Sequence, residues 1–165
     1  MSARTVVLLV AIVATGLIAG LFFGWLVSVI PGTRRIDDSS YIATMQSINR
    51  AIVNPGFVVP FLVSPILLII AGVLEFRFGN QRRATFLWTA AAVYLIGVIG
   101  VTFVGNVPLN NSLDALQLGA AADKDLQAQR SAYEIGWNRW HGLRTAASVL
   151  SFVLAVVPAA VIEAD

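Results

Sequence analysis

Four stretches of the chain, 5–30, 56–74, 84–107 and 143–162, are apolar almost without interruption, and the polar residues are gathered between them. A hydrocarbon core about 30 Å thick is crossed by about 20 mostly apolar residues in a helix, so each stretch is long enough to span. Backbone groups in lipid must be satisfied within their own segment, and the alternating pattern of barrel strands is missing. The pattern therefore predicts an all-α, integral membrane four-helix bundle, a single transmembrane domain over 1–165.

The connections are unequal. "EFRFGNQRR", between the second and third spans, is short and basic, whereas the other two are long and hold most of the polar residues. One end of the bundle is thus plain and the other elaborate. In the first connection Asp and Ser residues offer caps, and Tyr41, Met45, Ile48 and Ile52 recur at helical spacing, with Gln46, Asn49 and Arg50 on another face. That predicts an amphipathic helix on the bundle mouth, ended at Asn54-Pro55 because the residue before proline avoids the helical region. In the third connection Asn111 or Ser112 is placed to cap a second polar-faced helix that feeds the fourth span.

Composition agrees: 58% of the residues are hydrophobic and 12% charged, against about 45–50% and about 25% in soluble domains. The first stretch follows Arg4 as a secretory signal would. It exceeds the roughly 7–15 residue core of a signal and lacks a small-x-small cleavage site, so it reads as a retained span. The absence of cysteine excludes disulfides, thiolate nucleophiles and cysteine-held iron–sulfur clusters. Arginines flank the spans, which suits anionic lipid headgroups, and no basic stripe with interleaved aromatics points to nucleic acid. The expected partners are the lipid bilayer and a lipophilic small molecule, with a homo-oligomer or a membrane complex partner left open. Arg34, Arg35, Arg50, Lys124, Arg130, Arg139 and Arg144 lie at the elaborate end, and Arg4, Arg77, Arg82 and Arg83 at the plain end. The last three share one tight loop, so count and density oppose each other; the reading places both termini in the cytoplasm.

The scarce chemistry is concentrated at the elaborate end. Residues three and four apart on a helix are neighbours, so Trp137, His141 and Arg144 form one stripe, with Glu134 a step before them and Trp140 beside them. Asn106 and Asn110 close the third span, and Asn49 and Asn54 lie in the first connection. Polar groups in a membrane are costly and usually face an interior. The expected arrangement is a pocket between the helix ends, roofed by the long connections and suited to a planar, acidic, lipophilic phenol or quinol.

Each residue also has a plainer reading. Trp137, Trp140, Trp25 and Trp88 suit an interface belt, and Arg139 and Arg144 can snorkel to headgroups. Asn106 and Asn110 can join helices or cap their ends, His141 can be structural, and Gly16, Gly20 and Gly24 form a small-residue row for close packing. One His without Cys builds no typical zinc or copper site, and the spans lack the ligands of a di-iron bundle, so no metal is expected. A b-type haem on His141 alone stays open, with no second axial ligand in view.

"AGLFFGWLVSVIPG", "MQSINRAIVNPGF", "NVPLNNSL" and "WNRWHGLRTAAS", in that order, resemble the anthrone oxygenase-like membrane proteins, small four-span proteins of bacteria represented in fungi by anthrone oxygenases of polyketide pathways. The W-x3-H-x2-R element of Trp137, His141 and Arg144 and the N-x-P-x-N element of Asn106, Pro108 and Asn110 carry most of the resemblance. It implies a membrane oxygenase that converts an anthrone-type phenolic to a quinone with molecular oxygen, without metal or flavin, so no cofactor is expected. It also implies catalytic roles for His141 as base and Arg144 as anion clamp, Asn106 and Asn110 as orienters and Trp137 as a stacking wall. Asn49, Asn54 and Trp140 complete the expected substrate-binding set, and the bacterial plasma membrane is the expected location. The competing readings are a non-catalytic lipid- or quinone-binding protein and a small accessory subunit of a larger membrane complex.

Overall fold

The structure, a computed structural model, describes residues 2–120 and 123–160. The chain is built of α1 (Ala3–Thr33), α2 (Asp38–Ala51), α3 (Pro55–Arg77), α4 (Gln81–Asp114) and α5 (Asp123–Ala160), with a 3-10 turn at Leu118–Ala120 and no strand among the described residues. All of these but α2 and the 3-10 turn are long and apolar enough to cross a membrane. The expected four-span, all-α integral membrane protein is the one observed. Residues 161 and 162, the end of the fourth predicted stretch, lie outside the described residues.

The spans pack in a ring, α1 against α3 and α5, and α4 against the same two. Their outer faces stay apolar, as with the exposed Val10, Val13 and Leu17 on α1, which is what lipid contact requires. Inside, three layers follow one another. Leu8, Ala11, Leu68, Ala71, Leu87, Ala90, Ala91 and Ala155 fill the plain half, where small side chains let helices approach. Ile18, Phe22, Phe61, Tyr94 and Val98 form the middle. Residues of α2 join α4 and α5 in the third layer, with Tyr41, Ile42, Met45, Leu113, Tyr133 and Trp137 at its centre.

Proline shapes the spans without breaking them. Pro65 has no N–H for the carbonyl of Phe61, and the Tyr94 hydroxyl donates to that oxygen at 3.1 Å. Two other prolines are each preceded by a widened turn. The Ile30 N–H, just before Pro31, reaches back five residues to Trp25 O, and the Val107 N–H, just before Pro108, does the same to Thr102 O. Such π turns, at Trp25–Val29 and Thr102–Asn106, keep the proline ring off the carbonyl four residues back.

Pro108 therefore leaves α4 intact, and this changes the expected third connection. Asn111 and Ser112 lie inside the last turns of α4 and do not cap a new helix. The polar stretch before the fourth span is helical, but it is continuous with that span as α5. At 38 residues and about 1.5 Å per residue, α5 is about 57 Å long, so its polar half projects beyond the hydrocarbon and meets α2 there.

The amphipathic α2 forms as expected, with the side chain of Asp37 accepting from the Ser40 N–H at 2.9 Å as its cap. That bond holds the exposed Asp37 carboxyl below its usual range. Gln46, expected on a face other than that of the apolar row, is buried and donates to Leu113 O and Leu116 O, closing the C-terminus of α4. Arg130 ties the cap to α5, bonding Asp38, Glu134 and the carbonyl of Ile36 while lying 4.4 Å over the Tyr41 ring. Burial, reinforced by Glu134 against the opposing Arg130 and Arg34, keeps the Tyr41 hydroxyl far above its usual range and hence neutral.

At the plain end Glu75 is buried and takes Arg4 at 3.3 Å, Arg83 at 3.5 Å and the Asn80 amide at 2.9 Å, which locks α1, α3 and α4 together. Of the predicted glycine row only Gly16 meets a neighbour, Phe152, while nothing approaches Gly20 or Gly24. The close approaches lie elsewhere. Gly72 and Gly105 accommodate the indoles of Trp88 and Trp140, and Gly97 abuts Ala147.

Candidate functional site

Between the middle and outer layers lies a cluster of buried polar side chains: Thr102 and Asn106 on α4, His141, Arg144 and Thr145 on α5. Helical spacing places His141 and Arg144 one turn apart, and the Arg144 Nε donates to His141 Nδ1 at 3.1 Å. A guanidinium can only donate, so Nδ1 holds a lone pair and the ring proton is on Nε2, which meets Phe22 O at 3.1 Å. Trp137 stacks on the imidazole at 4.9 Å and 9°, and Phe22 meets it edge-on at 5.6 Å. The ring is thus held at both nitrogens and stacked on one face. Its one lone pair, on Nδ1, is not open to a haem iron and is not free to take a proton unless Arg144 moves. Among the described residues no group of three His, Cys, Asp or Glu side chains stands together.

Arg144 is 8% exposed and enters no ion pair among the described residues. Its guanidinium carbon lies 4.4 Å from the Phe22 ring and 5.2 Å from Trp137, and Nη1 reaches the Thr102 hydroxyl at 3.4 Å. Cation–π contacts in a desolvated site contribute about 2 kcal/mol or more each, short of the cost of burying a charge without a counter-ion.

A cavity of about 130 Å³ opens beside this cation. Phe22, Trp25 and Phe57 supply aromatic wall, Ile48 and Ile52 of α2 and its end form the rim, and Asn49, Thr102, Asn110, His141 and Arg144 supply polar atoms. Asn110 is held by two donors, Trp137 Nε1 at 2.8 Å and the Tyr133 hydroxyl at 3.0 Å, both to Oδ1, and Asn49 Nδ2 donates to Tyr133 at 3.1 Å. The amide of Asn110 is thereby oriented, with its Nδ2 left over for another partner.

The structure brings Asn49, Asn110, Trp137, His141 and Arg144 to one cavity and leaves three expected residues outside its lining. Asn54 is exposed and caps α3, accepting from the Phe57 N–H at 3.3 Å. Trp140 packs over Gly105. Asn106 is fully buried in the cluster but off the cavity, donating to Trp137 O at 3.2 Å, with its Oδ1 unpartnered. Glu134 turns away to Arg34 and Arg130. Sequence reasoning missed Tyr133, Phe22 and Thr102, and took Trp25 for a belt residue although it lines the cavity. Tyr133 is four before Trp137, so the same step that joined Trp137 to His141 pointed to it.

Fold and site together define a four-span membrane protein with a small aromatic cavity closed at its inner end by a cation that has no ion-pair partner among the described residues. A comparison with protein-family models matches residues 53–154 to the anthrone oxygenase family, and the chain belongs to that family. No curated protein and no solved structure matches the chain significantly.

Proposed function

We propose that the protein is a membrane-embedded, cofactor-independent oxidoreductase of the bacterial plasma membrane that oxidises a lipophilic phenolic or anthrone-like molecule with molecular oxygen. The observation that carries the reading is the buried Arg144 guanidinium, without a carboxylate partner among the described residues, at the inner end of an aromatic cavity in a chain of this family. An anthrone that loses a proton from its ring methylene becomes an electron-rich oxyanion able to reduce oxygen directly. Overall the methylene becomes a carbonyl, one O2 is consumed, and its second oxygen atom leaves as water. What such a reaction asks of a protein is stabilisation of the anion and exclusion of water. Arg144 and the Asn110 amide supply the first, and Phe22, Trp25 and Trp137 the second. The cavity is smaller than the roughly 300–1,000 Å³ of drug-sized pockets, so it takes one ring, with the remainder of a fused-ring ligand lying across Ile48 and Ile52.

The test is oxygen uptake with anthrone by protein purified in mild detergent, against a detergent blank. Wild type is expected to accelerate uptake, and Arg144→Gln to lose on the order of a hundredfold of the rate, as when one oxyanion donor is removed, while eluting as the folded wild type does. No acceleration by wild type discards the oxidation and leaves a binding protein that uses the same cavity.

A further inference from the structure

We infer that the cavity takes its ligand as an aromatic oxyanion with Arg144 as the counter-charge, and that His141 is the neutral residue that positions Arg144 and not the base that makes the anion. The inference rests on the reading of the cavity as the ligand site. Its polar end is rich in donors. The Arg144 guanidinium is one, and the Asn110 Nδ2 another, because Trp137 and Tyr133 already fill Asn110 Oδ1. The Thr102 hydroxyl accepts from Arg144 and keeps its own hydrogen, and Asn49 has given one of its two amide hydrogens to Tyr133. Apart from His141 and Arg144 on α5, no titratable side chain from any helix lines the cavity. A neutral phenol would leave the buried guanidinium without counter-charge, whereas an oxyanion completes it.

The place of His141 follows from its bonds. Its one acceptor atom, Nδ1, is taken by Arg144 and its Nε2 hydrogen by Phe22 O, while Trp137 stacks on one face and Phe22 meets the ring edge-on. That is how a side chain is held as a strut. The proton of a weakly acidic ligand therefore leaves to water when the ligand binds and does not pass to the imidazole.

The probe is 4-nitrophenol, whose neutral and ionised forms absorb at different wavelengths, added to the purified full-length protein at a pH about one unit below the probe's own pKa. Wild type is expected to bind the ionised form and release a proton to weakly buffered solution. Arg144→Gln is expected to lose the ionised band and about tenfold or more in affinity. His141→Asn separates strut from base, since its Oδ1 falls where Nδ1 accepts but does not titrate. It is expected to keep the band, and affinity within about threefold, whereas His141→Leu loses both. Thermal melts of each variant confirm the folded state, and if His141→Leu does not fold, His141→Asn against Arg144→Gln carries the comparison. A wild type that leaves the probe spectrum unchanged or binds it neutral, or a His141→Asn that loses as much as Arg144→Gln, overturns the proposal. An ionised bound probe without oxygen uptake on anthrone removes the oxidation alone. Uptake with a neutral bound probe removes this inference alone.

Discussion

The Tyr133 hydroxyl joins two asparagines from different helices, accepting from Asn49 and donating to Asn110. Through it α2 and α4 are fastened to α5 at the cavity, and the Asn110 amide is kept in one orientation. Tyr133→Phe removes both bonds and leaves partly buried amides short of partners, at a cost of about 1–3 kcal/mol. The expected outcome is a lower thermal midpoint in detergent and a fall of about threefold in 4-nitrophenol affinity, smaller than that of Arg144→Gln because the charge remains. An unchanged midpoint would show that the two bonds contribute nothing. The stripe containing Trp137, His141 and Arg144 was legible at this scale because helical spacing is local. The bond that fixes the other ring nitrogen of His141 was not, because its partner Phe22 lies 119 residues away in the chain.

At the scale of the element, the decisive feature is the π turn before Pro108. Thr102 and Val107 both line the cavity, although residues five apart on a regular α-helix point about 140° apart. The widened turn at Thr102–Asn106 gathers them on one face. Thr102 stands four before Asn106, so the spacing that joined Asn106 to Asn110 reached it too, and it was passed over as an ordinary hydroxyl of the span. The proline was visible in the sequence, but sequence alone does not say whether a helix ends or widens there. Pro108→Ala restores an N–H and permits a regular turn. It is expected to leave thermal stability unchanged or higher, since an interior proline is unfavourable by about 3 kcal/mol relative to alanine. Regular winding would also turn Thr102 and Asn110 by about 100° relative to each other, so the cavity should lose about tenfold or more of its 4-nitrophenol affinity. Retained affinity with raised stability would mean that α4 keeps its π turn without proline.

For the whole molecule, hydropathy and length sufficed for four spans, and the two long connections marked the end that bears the chemistry. They did not reveal that the two ends do opposite work. At the plain end Glu75 is matched by Arg4 and Arg83, so its charge holds three helices. At the other end Arg144 is buried without a matching anion among the described residues, which fits a ligand and works against the empty fold. Substituting a buried charge by a well-packed apolar side chain is often neutral or stabilising, so Arg144→Met is expected to match or exceed wild type in thermal midpoint without ligand while losing 4-nitrophenol binding. Glu75→Ala should do the reverse, losing about 1–3 kcal/mol with affinity unchanged in the folded protein. Arg4 and Arg83 are partly exposed and can turn to water, which keeps that loss moderate. The two residues share no partner, so the double variant should add within about 0.5 kcal/mol, read from thermal or denaturant unfolding in the same detergent. A destabilised Arg144→Met would instead show that its contacts with His141, Thr102 and the aromatic rings outweigh the burial of its charge, making Arg144 a structural residue first.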